Sequence, residues 1–407
     1  MKSKRIIIIT QYFYPENFRI NELAYELVKG GYVVDALVGI PNYPKGKFFD
    51  GYGIFKKRHE VKNGVNIYRC YQIPRGTKGS RIQLSLNYLS FVFCASLWVL
   101  FKFAFKKKYD AIIAYEPSPI TLILPAILLG KLRRTKVLSW IQDIWPDSMF
   151  DSANETKNSF LVPILTSVTE FVYRNSDKIL ISSPGMKELV CRNKDYSSKI
   201  EYVPNWSDDF TIGPRENVPM MPTGGFNLVM AGTINDGIGL DDVILFIEEL
   251  SDCPDVNIIF IGGGSKKEDL EKYIKNHNLT NAYVLGMFPY RMMPSFYAKA
   301  DAMLLSLAKS ELKHLDVTIP ARLQSYMSAG KPVFAMIGTG ARNVIEEANC
   351  GFVVDPGDYK SLAKLIKDNY KNKEVLTQMG TNAREAYEKY FTINVGTQHF
   401  EDLINRS

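Results

Sequence analysis

KRIIIIT at 4–10, QYFYPENFRINELAYELVKGG at 11–31 and YVVDALV at 32–38 decide the fold. The first is an unbroken apolar run rich in β-branched residues, the pattern of a strand buried on both faces of a parallel sheet. The second opens as a loop over 11–18 and then carries a helix over 19–29, ended by Gly30-Gly31 where a left-handed cap is wanted. With a second strand over 32–38, the three make one right-handed crossover unit.

The same alternation continues outward through strands at 111–115, 137–141 and 178–182, with a helix over 120–130. It then restarts. NLVMAG at 227–232 reads as a new first strand, followed by a helix at 240–250, a strand at 256–261 and a helix at 270–276. Strands at 282–285, 302–307 and 332–337 and helices at 293–299 and 322–329 complete the pattern. The expected class is α/β, with two Rossmann-like doubly wound domains facing a cleft. The stretch 203–223, with Pro204, Pro214, Pro219 and Pro222, has linker composition. The domains expected are therefore 1–205, 206–385 and a C-terminal helix within 386–407 that packs back on the first domain.

A chain of 407 residues with 46% hydrophobic and 23% charged residues excludes disorder, because it can bury enough apolar surface to offset its ordering entropy. Cys70, Cys94, Cys191, Cys253 and Cys350 are scattered and form no C-x-x-C pair. Together with four histidines that lack ligand spacing, they argue against a disulfide framework and a metal centre, and for a reducing cytoplasm. The four isoleucines after Arg5 are too short a run for a signal peptide.

The net charge of +7 hides a division: residues 1–205 carry +13 and residues 206–407 carry −6. The basic clusters Lys102, Lys106, Lys107, Lys108 and Lys131, Arg133, Arg134, Lys136 each follow an apolar stretch, 82–101 and 120–129. That context suits an anionic membrane surface rather than nucleic acid, each nearby cation contributing about 1 kcal/mol. The 20 residues at 82–101 hold no charge, yet Gln83, Asn87, Ser90 and Cys94 recur as one polar stripe. Spanning a bilayer, dipping into its interface and packing in the core all stay open, with 82–108 as the expected membrane-associating segment.

In such folds ligands meet the loops at the carboxyl ends of the strands. After the strand at 227–232 comes GTINDGIG (232–239), a glycine-rich turn whose Gly232 and Thr233 amides suit a phosphate, though its spacing is neither the dinucleotide fingerprint nor a P-loop. Gly262 and Gly263 permit close approach of a base or sugar, or simply a turn. In KSELKHLDVTIPARLQSYMSAGKP (309–332), Thr318 leads a helix, and Lys309 and Arg322 suit a diphosphate leaving group, the plain alternative being solvated cations. In the first half, Glu16, Asn17 and Arg19 follow strand one, and Gln142 and Asp143 follow the strand at 137–141. Asp143 suits orienting a sugar hydroxyl, or capping a helix.

QYFYPENFRINELAYEL (11–27), GIPNYPKGKFFDGY (39–52), IQDIWPDSM (141–149), VPNW (203–206), the turn at 231–240, TIPARLQSYMSAGKPV (318–333) and VIEEANCGFVVDPGD (344–358) together resemble a family 4 glycosyltransferase of the two-Rossmann GT-B type. Within it the chain is most similar to bacterial O-antigen and capsule enzymes that transfer an N-acetylated deoxyhexosamine such as N-acetyl-L-fucosamine. The resemblance implies a nucleotide-sugar donor, UDP-linked, held by the second domain and an acceptor held by the first. It also implies no metal or other cofactor, and retention of anomeric configuration. Lys309 and Arg322 would then contact the donor diphosphate with Gly232 and Thr233 nearby. Glu16, Asn17 and Arg19 would border the reacting centre, and Asp143 with Gln142 would face the sugar. Enzymes of this kind act on undecaprenyl-diphosphate-linked sugars, which implies a lipid-linked acceptor and a peripheral place on the inner face of the cell membrane.

Two features depart from the family pattern. Where members carry two glutamates eight positions apart, the second gripping the donor ribose, this chain has Val317 and Ser325. The basic phosphate ligand expected after Gly232 is replaced by Asn235 and Asp236, leaving Asp316 and Glu346 as candidate substitutes in donor binding. A sugar-nucleotide 2-epimerase and a catalytically silent nucleotide-sugar-binding subunit are the competing expectations.

Overall fold

A computed structural model describes residues 3–77, 80–149, 161–213, 216–218 and 220–406. Pro214 and Pro219 of the expected linker lie outside the described residues. The chain divides into two compact units, Met1–Pro204 with Ile393–Ser407, and Asn205–Thr392.

The first unit holds strands β1 (Arg5–Ile9), β2 (Val33–Gly39), β3 (His59–Lys62), β4 (Val65–Cys70), β5 (Ala111–Glu116), β6 (Val137–Ile141), β7 (Lys178–Ile181) and β8 (Ile200–Tyr202). They form one sheet in the order β3-β4-β2-β1-β5-β6-β7-β8. β1 lies at its centre, Ile8 facing Ala36 on one side and Ile113 on the other, which is why Ile6, Ile7, Ile8 and Ile9 are all wholly buried. β3 pairs antiparallel with β4 through a tight turn in which Asn63 (φ 48°) and Gly64 (φ 80°) are both left-handed. Helix Arg19–Lys29 ends as the sequence predicts, with Gly31 at φ 87°.

The second unit is a parallel sheet of β9 (Phe226–Ala231), β10 (Val256–Ile261), β11 (Ala282–Gly286), β12 (Ala302–Ser306), β13 (Val333–Met336) and β14 (Gly351–Val354), in the order β11-β10-β9-β12-β13-β14. Apolar clusters fill both of its faces, one around Phe296, Leu323 and Tyr326 and the other around Phe246, Leu250 and Leu362. In each sheet the order reverses at one place, between β1 and β5 and between β9 and β12, so the loops leaving those strands open a crevice at their carboxyl ends.

The expected single helix within 386–407 is two segments. Residues 386–390 finish helix Lys373–Tyr390 of the second unit, whereas helix Ile393–Asn405 belongs to the first. There Phe400 meets the Trp140 ring at 5.0 Å, and Lys136 Nζ donates to the terminal carbonyls of Leu403 (3.0 Å) and Ile404 (2.9 Å), a cation at a helix C-terminus.

Helix Arg81–Phe101 turns its apolar side outward. Its buried positions are Asn87, Phe91, Ala95 and Val99. The polar stripe read from the sequence faces the protein: Asn87 Nδ2 donates to the Ile73 carbonyl, Asn87 Oδ1 accepts from Gln11 Nε2 at 2.8 Å, Ser90 Oγ accepts from the Ile73 amide at 2.8 Å, and Gln83 Nε2 donates to the Pro74 carbonyl at 3.0 Å. Ile82, Leu86, Leu89, Phe93, Leu97, Leu100 and Phe101 are exposed, Leu89 by 60% and Phe93 by 65%. The basic clusters divide by task. Lys106 Nζ pairs with buried Asp35 at 3.1 Å, and Arg133 donates to the Ala104 and Lys106 carbonyls, while Lys107, Lys108, Lys131 and Arg134 are exposed.

Candidate functional site

In the second unit the crevice is built from backbone packed on backbone. Gly262 has φ 149°, and a side chain there would start 1.9 Å from the Gly232 carbonyl oxygen; Gly264 has φ 153° and lies as close to the Ile234 carbonyl. Close loop packing therefore accounts for Gly262. Gly263 is hemmed in by Met287, whose Sδ a side chain on Gly263 would meet at 2.8 Å.

Gly232, at φ 142°, opens instead toward Arg322, whose guanidinium lies 3.8 Å from where a side chain on Gly232 would begin. Arg322 stands in the first turn of helix Ala321–Ser328, and its Nη1 is buried with no hydrogen-bond acceptor among the described residues. Tyr326, one turn on, donates to the Ala231 carbonyl (3.1 Å) and accepts from the Ala231 amide (3.0 Å), locking the helix to the end of β9. A buried guanidinium nitrogen without an acceptor is costly, and an anion at the turn relieves that cost.

Lys309 and Thr233 are exposed. Lys309 lines a hollow of about 300 Å³ with Asp236, Gly239, Leu240, Asp241, Asp242, Lys266 and Ala308. The hollow follows from the β9–β12 junction, where the Ala308 amide donates to the Gly237 carbonyl at 2.9 Å and Ser306 Oγ to the Ile238 carbonyl at 2.7 Å. Lys266, which sequence reasoning passed over, pairs with Asp236 at 3.4 Å and brings a second cation to this turn.

The other candidates in this unit are engaged elsewhere. Thr318 Oγ1 donates back to the His314 carbonyl at 2.7 Å. Glu346 pairs with Arg342 at 3.4 Å on the outer face of helix Thr339–Glu347, and Asp316 Oδ1 accepts from the Thr339 amide at 3.1 Å, capping that helix. Ser325 Oγ lies 3.0 Å from Ser207 Oγ.

In the first unit Glu16 is buried, its Oε1 accepting from the amides of Asn42 (2.8 Å) and Tyr43 (2.7 Å), which ties the loop after β1 to the loop after β2. Burial pushes its carboxyl up to about 7 against the pull of those amides. With its oxygens committed to backbone, Glu16 positions the loop rather than presenting a free carboxylate. Asn17 is exposed, and Arg19 pairs with Glu22 at 3.3 Å.

Asp143 and Gln142 follow β6, both half-buried. Burial raises the Asp143 carboxyl to about 6, while the Ser118 hydroxyl bonded to it acts to lower it. Ser118 is held in turn by the Trp145 indole at 3.0 Å. Sequence reasoning missed Glu116, the last residue of β5, which is wholly buried; burial first and then the charge of Asp143 drive its carboxyl well above the ordinary range. The sequence signal was a lone acid closing an apolar strand, AIIAYE (111–116). The two acids stand at the carboxyl ends of the neighbouring strands β5 and β6, beside the switch point between β1 and β5.

Residues 17–206 match the glycosyl transferase 4-like domain, and residues 220–386 match glycosyl transferases group 1. The chain is 20% identical over 307 residues to the probable glycosyltransferase WbjE of Pseudomonas aeruginosa, covering 74% of this chain and 75% of the relative. It is 20% identical over 398 residues to the O-antigen chain mannosyltransferase C of Escherichia coli, covering 95% and 94%. The fold is shared with Anabaena Alr3699/HepE, solved in complex with UDP, at a TM-score of 0.68 and 15% identity over 98% of this chain and 99% of that one. With a matching domain in each unit, in the same order, the chain is a glycosyltransferase of the GT-B, family 4-like kind.

Proposed function

We propose that this enzyme is a retaining transferase that moves an N-acetylated (deoxy)hexosamine, N-acetyl-L-fucosamine, from its UDP-linked donor to a polyprenyl-diphosphate-linked sugar in O-antigen or capsule synthesis. The observation that carries the donor half is the acceptor-less Arg322 Nη1 beside Gly232. As the sugar–phosphate bond breaks, charge develops on the departing diphosphate, and a guanidinium with one nitrogen already buried there stabilises it without reorganising. Lys309 and Lys266 add long-range attraction for the same group. The UDP bound by HepE and the similarity to the O-antigen chain mannosyltransferase C support this reading. The acceptor half rests on helix Arg81–Phe101, whose outward apolar stripe and exposed Lys107, Lys108, Lys131 and Arg134 suit an enzyme seated on the anionic inner face of the cell membrane.

The test is incubation of the purified protein, in detergent, with UDP-N-acetyl-deoxyhexosamines and a lipid-diphosphate sugar. Transfer of the sugar with retained configuration is expected. Isomerised free donor would make the protein an epimerase, and binding without turnover a silent subunit.

Asp143 supplies a pH signature. With its carboxyl ionising at about 6, kcat is expected to fall as pH drops below that value if the ionised form orients the acceptor hydroxyl. Because folding raises this acid's pKa, the native state holds the proton more tightly than the unfolded chain, so its burial costs stability as pH rises through 4 to 6. Asp143→Asn should therefore lose activity yet gain thermal stability at pH 8 relative to pH 4, both readable from rate profiles and melting curves.

A further inference from the structure

Arg75 is the second half-buried guanidinium that meets no carboxylate and no backbone carbonyl among the described residues. Other half-buried arginines of this unit are neutralised or capped: Arg5 by Asp35, Arg133 by two carbonyls. The Arg75 guanidinium instead sits among three tyrosine rings, 5.8 Å from the centre of Tyr12, 5.3 Å from Tyr43 and 5.7 Å from Tyr88. Its Nη1 donates to the Tyr12 hydroxyl and, at 3.4 Å, to the Tyr88 hydroxyl.

The cage is tightly built. Phe18 stacks on Tyr12 with ring centres 5.1 Å apart, Tyr43 packs against both rings, and the Arg75 amide donates to Asn42 Oδ1 at 3.0 Å. Asn42 and Tyr43 are the same residues whose amides Glu16 holds. The loops after β1 and β2 are thus spent on fixing one cation whose charge no carboxylate neutralises among the described residues. Aromatic rings and phenol oxygens hold a guanidinium in place while leaving its net charge available to an anion.

We infer that the Arg75–Tyr12–Tyr43–Tyr88 cage is the seat for the diphosphate of the lipid-linked acceptor, which deepens the transferase reading and rests on its lipid half. Tyr88 lies on helix Arg81–Phe101, so the cage joins the helix that turns Leu86 and Leu89 outward. A ligand with an anionic head and a long apolar tail satisfies both features at once: phosphate oxygens on Arg75, the first isoprene units along Leu86 and Leu89. Asp143 lies near enough for its charge to act on Tyr88.

The probes are farnesyl diphosphate and farnesol, titrated into the full chain in detergent by calorimetry, with Arg75→Gln and Tyr88→Phe as variants. Farnesyl diphosphate should bind the wild type and bind Arg75→Gln about 10- to 100-fold more weakly, the loss of a charge-assisted pair. Farnesol should not distinguish them. Tyr88→Phe keeps the ring and the fold and should weaken diphosphate binding by a smaller factor. UDP binding serves as the folding control and should be equal in all three proteins. In turnover, Arg75→Gln should raise KM for the lipid acceptor with KM for the donor unchanged. Equal farnesyl diphosphate binding by wild type and Arg75→Gln overturns the proposal. So does a loss confined to sedimentation with phosphatidylglycerol vesicles, which would make Arg75 a headgroup contact. Because diphosphate binding needs no donor, failure of transfer with intact diphosphate binding would count against the donor reading alone.

Discussion

Replacing Arg322 by alanine is expected to lower kcat/KM by about 10²-fold or more while leaving the melting temperature unchanged or raised. The two readouts separate a functional arginine from a structural one. A structural arginine stabilises the fold through the acceptors it bonds, so its loss costs stability. Arg322 Nη1 is buried with no such acceptor among the described residues, a state that costs on the order of 1–3 kcal/mol in the unliganded protein. Removing the side chain relieves this cost and, on the proposed reading, takes away the stabilisation of the departing diphosphate. UDP should consequently raise the melting temperature of the wild type and have little effect on Arg322→Ala, since a ligand at 100 times its Kd stabilises by about 2.7 kcal/mol. Arg322→Lys keeps the charge without the planar fork and should fall between the two. Normal turnover by Arg322→Ala would leave the turn at Gly232 without its charge partner and move the donor site to the hollow at Lys309.

Legibility in the sequence followed burial and length. KRIIIIT and NLVMAG mark β1 and β9 because strands buried on both faces leave no polar alternation to confuse the pattern, and the helices beside them have one clear apolar face. The β3–β4 hairpin went unread although Asn63-Gly64 is a strong turn signal, because HEVK and VNIYRC are short and β3 is largely exposed at the sheet edge. β14 was hidden in the same way: GFVV is four residues between polar loops. At the site, Arg322 and Gly232 were legible as a cation and a glycine-rich turn, but their meeting at 3.8 Å is a fact of tertiary packing. Glu16 was read as bordering the reacting centre, and only the structure shows its carboxyl consumed by the Asn42 and Tyr43 amides. The contacts of Asp316 and Glu346, with the Thr339 amide and with Arg342, are set by tertiary packing and by the solvent side of a helix, which no local pattern announces.

The polar stripe of helix Arg81–Phe101 was visible in the sequence, but not which way it faces, and the direction determines the second large effect. Changing Leu86, Leu89 and Phe93 together to serine should weaken binding to vesicles of anionic phospholipid by about 10²-fold or more, counting roughly 1 kcal/mol for each partly immersed side chain. In a buried core helix the same triple change would create cavities and cost several kcal/mol of stability. Here the three side chains are exposed by 46%, 60% and 65%, so the melting temperature in detergent-free buffer should hold or rise. Lys107 and Lys108 provide the electrostatic arm: changing both to glutamine should weaken binding mainly at low salt, because their attraction to the surface is screened within about 10 Å at 0.1 M. Lys106 is unsuitable for that set, since its ion pair with Asp35 holds the end of the helix to β2. Unchanged vesicle binding by the serine variant would mean that the outward apolar stripe meets something other than a bilayer. Lost stability would mean that the stripe is covered by protein. The two measurements together decide whether the proposed lipid-linked acceptor would reach this enzyme by lateral diffusion along a membrane, with the tyrosine-caged Arg75 beside the same helix, or out of solution.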